Sequence, residues 1–135
     1  MPIAYKILKG STLCYVRYWG HITLQENIDV AQRCTSEPDF RHGMPHLFDF
    51  REVTGYERDL VKMFAMQARI AELYPEDRGE QLVIFCAPPG VATEMVELAR
   101  KSWESSTAIL IRSAQNWDQA CDIAGVAQSE LMTLS

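Results

Sequence analysis

A chain of 135 residues, 47% of them hydrophobic, holds enough apolar material for one ordinary core and too little for two comfortable domains. Lys and Arg number 13 against 18 Asp and Glu, and a formal charge of −5 with no clustering of the basic residues excludes a nucleic-acid backbone as partner. No stretch of about 18 apolar residues occurs, and residues 1–10 alternate polar and apolar types where a leader would be continuously apolar, so a soluble, cytoplasmic protein is expected.

The first two elements read as strands. Residues 3–9 and 12–19 flank the turn-forming pair Gly10-Ser11, with Leu13, Tyr15 and Trp19 on one face of the second run, which predicts an antiparallel hairpin. Gly20 ends it. Thr23-Leu24-Gln25-Glu26 then matches a capping box, in which the Thr hydroxyl and the Glu carboxylate satisfy orphan backbone donors, and predicts a helix over residues 24–36. A turn-rich loop over residues 37–45 leads into the short β-prone run His46-Leu47-Phe48-Asp49-Phe50. A long helix follows over residues 57–74 and stops at Pro75. Residues 81–87 are apolar without alternation, as in a strand covered on both faces, and are expected at or near the centre of the sheet. Pro88-Pro89-Gly90 opens a helix over residues 91–105, residues 108–112 form a fifth strand, and residues 116–124 a closing helix. Residues 125–135 lack periodicity and are expected to be a flexible tail, with Leu131, Met132 and Leu134 able to dock.

A hairpin followed by repeated strand-helix-strand units specifies the α/β class. The expected architecture is a mixed five-stranded sheet, its first two strands antiparallel and strands three to five parallel, with about four flanking helices.

Chemistry-bearing residues are sparse. Cys14, Cys34, Cys86 and Cys121 show no C-x-x-C spacing and read as buried reduced thiols. Cys86 stands near the carboxyl end of strand four, where open α/β sheets often take ligands. His42 and His46 have the i, i+4 spacing of a metal pair with Asp49 nearby, but Gly43 and Pro45 forbid the helix this pair would need. His21 reads as a loop residue. The Pro88-Pro89-Gly90 turn carries neither a dinucleotide fingerprint nor a Gly-Lys-Ser/Thr element. No nucleophile stands beside a base, so a non-catalytic chain without metal or cofactor is expected.

The long helix carries two apolar stripes. Leu60, Phe64, Ala68 and Ala71 form the expected core stripe, which leaves Met63, Met66, Ile70 and Leu73 for a neighbouring helix, a partner, a second copy or a lipophilic ligand. Before that helix, Asp49 and Arg51 can pair at the end of strand three, and Thr54 belongs with Gly55 in a turn. Arg58 and Asp59 sit at the helix start, where free N–H groups would accommodate an anion unless Glu57 and Asp59 cap them.

With this order of elements, Trp19-Gly20-His21-Ile22-Thr23 before the first helix and Leu47-Phe48-Asp49-Phe50-Arg51-Glu52-Val53 closing strand three resemble the SpoIIAA-like family of STAS domains. The resemblance spans residues 3–124 and implies one STAS-like domain over residues 1–124. By fold analogy it implies a protein partner or self-association. The related Sec14 (CRAL-TRIO) carriers imply, as the alternative, a small lipophilic ligand taken up at the cytoplasmic face of a membrane by transient contact. Phosphorylated members carry Asp-Ser-Ser-Gly after strand three. Here Tyr56-Glu57-Arg58-Asp59-Leu60 has no serine, which argues against that switch and leaves Thr54 as the nearest hydroxyl. The expected partner or ligand surface comprises Asp49, Arg51, Thr54, Arg58, Asp59, Met63, Met66, Ile70 and Leu73.

Overall fold

In the computed structural model, which describes residues 2–104 and 108–131, Gly10 takes a φ of +79° in the turn between β1 (Ile3–Ile7) and β2 (Cys14–Ile22). Glycine meets that left-handed conformation without a Cβ clash. The two strands pair antiparallel, Ile3 opposite Tyr18 and Ile7 opposite Cys14. Helix α1 (Leu24–Thr35) starts on the expected capping box, the Thr23 hydroxyl accepting from the Glu26 amide at 3.3 Å and the Glu26 carboxylate from the Thr23 amide at 3.2 Å. There follow β3 (His46–Tyr56), α2 (Leu60–Glu72), β4 (Gln81–Cys86), α3 (Val91–Trp103), β5 (Ile109–Ala114) and α4 (Trp117–Ala124).

Strand β3 has 11 residues, well beyond the apolar run that announces it. Its second half is held by β2, which runs alongside in parallel and pairs Trp19 with Glu52, Gly20 with Val53, His21 with Gly55 and Ile22 with Tyr56. Thr54 therefore stands in a strand rather than in a turn. Helix α2 correspondingly starts later than residue 57, because Asp59 takes the N-cap and accepts from the Lys62 amide at 3.1 Å.

The strand order is β1-β2-β3-β4-β5, parallel from β2 onward, with β3 in the middle and β4 one strand from the edge. Crossovers of one hand that advance one strand at a time in one direction put every connecting helix on the same face. Helices α1, α2 and α3 accordingly cover one face, with Ile28, Val30, Met66, Ile70, Val96 and Trp103 packed on Val16, Tyr18, Phe50, Val83 and Phe85. Helix α4, with no further strand to reach, turns onto the other face, where Ala120 and Cys121 meet Leu13, Tyr15, Leu47, Ile84 and Cys86. The order never reverses, so the sheet lacks the switch point at which doubly wound folds open a ligand crevice, and Cys86 lies fully buried under α4. Beyond α4, Leu131 is buried in this second cluster; Met132 and Leu134 lie outside the described residues.

Candidate functional site

Helix α2 turns Met63, Met66 and Ile70 inward, buried at 5%, 3% and 8% exposure, and leaves Leu60, Val61 and Phe64 at 55%, 82% and 43%. This reverses the expected roles of its two stripes. Both stripes are apolar and adjacent, so helical periodicity defines an arc without saying which edge of it faces the sheet. The neighbours decide: the Asn27 amide reaches the Met66 sulfur at 3.7 Å from α1, and the Trp103 indole donates to the Gln67 carbonyl at 3.1 Å from α3. Leu73, at the C-cap, is half-buried.

The polar members of the expected surface do not gather beside this helix. Asp49 points to the α4 face. Buried at 2% exposure, it accepts from the Tyr15 hydroxyl at 2.7 Å and from Arg51 at 3.0 Å (Nε), 2.9 Å (Nη2) and 3.1 Å (backbone N). The Arg51 guanidinium lies 3.8 Å from the centre of the Trp117 ring, and its bonds to Asp49 hold its pKa above the ordinary value. At the other corner Arg58 and the Tyr56 hydroxyl both bond Glu94 on α3, and burial, followed by that bond, pushes the Tyr56 phenol up to about 12. Glu57 reaches back to cap α1, accepting from the Leu24 amide at 3.1 Å. Both arginines are thus paired within the chain, and Asp59 already caps the N-terminus of α2, the expected anion site. Thr54 is exposed on β3. His46 and Asp49 point to opposite faces of the sheet and His42 is exposed, so these three do not converge.

Beneath α2 the packing is incomplete. A cavity of about 80 Å³ lies between the sheet and α1, α2 and α3, bordered by Tyr18, Phe50, Met63, Met66, Ile70 and Trp103. Gln67 and Gln81 also border it, and the Oε1 atom of each is buried without a hydrogen-bond partner.

Cys34 and His46 line the same cavity and belong to a cluster that residue spacing does not disclose. The ligand-type atoms of Cys14, Cys34 and His46 all lie within 4.8 Å of one another, and all three residues are buried. The two sulfurs are 3.0 Å apart. Two thiolates on one tetrahedral zinc, with bonds of about 2.3 Å, would stand about 3.8 Å apart, so this spacing is a thiol-thiol contact and not an ion's cage. Both imidazole nitrogens have partners in the chain: Nδ1 faces the Met44 carbonyl at 2.9 Å and the Gln81 amide at 3.0 Å, and Nε2 faces the Tyr74 hydroxyl at 3.0 Å. The bond shared by the two sulfurs, aided by His46 and opposed by burial, holds the Cys34 thiol below its ordinary range, while the same bond and burial push Cys14 up. The signal for this cluster lies in topology. Cys14 and His46 are paired neighbours at the starts of parallel strands β2 and β3, and a crossover helix between parallel strands brings its last turn, here Cys34, over those starts.

The chain matches no family model and no curated protein. Among solved structures it is similar to that of the anti-sigma factor antagonist SpoIIAA in its unphosphorylated form, with a TM-score of 0.50 and 8% sequence identity, over 92% of this chain and 99% of that one. At that identity the likeness shows the fold: a SpoIIAA-like mixed sheet of five strands with four helices. Among the described residues no helix is long and apolar enough to cross a membrane.

Proposed function

We propose that the chain is a non-catalytic, STAS-type regulatory module of the cytoplasm that docks a protein partner through the outward face of α2. The observation that carries this reading is the exposure of Leu60, Val61 and Phe64, with Phe64 one helical turn on from both others, at i+4 from Leu60 and i+3 from Val61. Among the described residues the other large apolar side chain so exposed is Ile123, which stands apart on α4. The structural neighbour is an anti-sigma factor antagonist, which agrees with a task of association. Residues 56–60 hold no serine, so the reading invokes no phosphoryl switch there.

The test is recovery of the tagged chain from a lysate of its own organism, followed by native mass spectrometry. A stoichiometric protein, or a second copy of the chain, should be held by the wild type. Val61→Lys and Phe64→Ser should weaken that association by at least ~10-fold, as loss of a central apolar contact does, with unchanged melting curves. Association that survives both substitutions would show the surface to be elsewhere.

The cavity favours a second reading, a carrier or sensor of a small lipophilic molecule. At about 80 Å³ it is smaller than the roughly 300 Å³ at which drug-sized sites begin, so in this conformation it suits one ring or a short chain. A small non-covalent adduct in the same spectrum would support it, and a clean protein mass would count against it.

A further inference from the structure

We propose that Cys34 is an oxidation site for small hydroperoxides and that Cys14 resolves it, closing a disulfide between β2 and α1. The two sulfurs already stand 3.0 Å apart and need approach only to about 2.05 Å to bond. Access separates their roles. Both side chains are buried, but Cys34 lines the cavity and Cys14 does not border it. The lining also includes Thr23, Leu24, Asn27, Ala31 and Met95, all partly exposed, so the cavity extends toward solvent beside α1 and α3. One water needs about 10–15 Å³ of such space, so hydrogen peroxide, with two heavy atoms, fits in 80 Å³. A peroxide in the cavity meets the Cys34 sulfur first, so Cys34 is the nucleophile and Cys14, in contact behind it, the resolving thiol. Cys86 and Cys121 lie on the opposite face, where burial pushes Cys86 up to about 11 and raises Cys121.

In the first step the Cys34 thiolate attacks one peroxide oxygen. An S–O bond forms and the O–O bond breaks, leaving a sulfenic acid on Cys34 and an alkoxide or hydroxide that takes a proton. In the second, the Cys14 sulfur attacks the Cys34 sulfur, the S–O bond breaks, and hydroxide leaves with the Cys14 proton as water. The sum is two thiols and one hydroperoxide to one disulfide, one alcohol (water, for hydrogen peroxide) and one water. Both electrons come from the two cysteines and reduce the peroxide bond.

The experiment exposes the full chain, reduced and freed of reductant, to a slight molar excess of hydrogen peroxide under native conditions. The chain is then unfolded in an alkylating agent and mapped by mass spectrometry without reduction. The expected result is a loss of two hydrogens, one linked peptide pair holding Cys14 and Cys34, and alkylated Cys86 and Cys121. Cys14→Ser should stop at a sulfenic acid on Cys34 that dimedone traps, and Cys34→Ser should consume peroxide at least ~10-fold more slowly. Four alkylated thiols after peroxide would overturn the proposal, as would a link through Cys86 or Cys121, or a Cys34→Ser chain that reacts like the wild type. The map of the wild type decides the pairing even where a substituted chain fails to fold.

Discussion

Asp49 joins three elements through one carboxylate: its own strand through Arg51, β2 through Tyr15, and α4 through the stacking of Arg51 on Trp117. Asp49→Ala would leave the Tyr15 hydroxyl buried without its acceptor and release Arg51 from the ring. Because the Arg51 side chain is 41% exposed, its charge can return to water, so the loss falls below that of a fully buried pair. We expect about 2 kcal/mol, read as a lower urea midpoint at unchanged slope. A midpoint like the wild type's would show that the network holds nothing together. The Asp49-Arg51 pair was legible in the sequence because both residues lie on one strand two positions apart. Tyr15 and Trp117 come from distant segments and were not.

At the scale of the element, α2 shows how one amphipathic sequence permits two packings. Its breadth of apolar positions was legible; the inward edge was not, because that depends on α1 and α3 alongside. The outcome assigns opposite effects to similar substitutions. Met66→Lys, at 3% exposure, places an ammonium in the core and should cost about 3 kcal/mol or more, whereas Val61→Lys, at 82%, should stay within about 0.5 kcal/mol. Thermal melts of the two chains check this, and equal destabilisation would refute the orientation of the helix. A probe of association therefore belongs at Val61 and Phe64, since charges at Met66 or Ile70 would disturb folding first. Strand β3 teaches the same lesson: its first half declares itself by apolar residues, and its second is a strand because β2 supplies hydrogen-bond partners.

Over the whole molecule, buried protonated groups set the alkaline limit of stability. Burial holds the Cys86 thiol at about 11 and, with the bond to Glu94, the Tyr56 phenol at about 12, both above their unfolded values. A folded pKa raised above the unfolded one means that the unfolded chain loses its proton first. The stability from these groups is full below about pH 9 and is lost as pH rises through about 11 and 12. Urea midpoints should fall steadily over that window, and a flat profile would contradict the burial of both groups. The sequence by itself determined the α/β class, the order of elements, the capped start of α1 and the parallel core, because capping, periodicity and chain breaks act between residues a few positions apart. Only the tertiary structure decided which stripe of α2 faces water, how far β3 extends, and that Cys14, Cys34 and His46 meet under one cavity. Each of these depends on which element comes to lie beside another, and that is settled by packing between segments far apart in the chain.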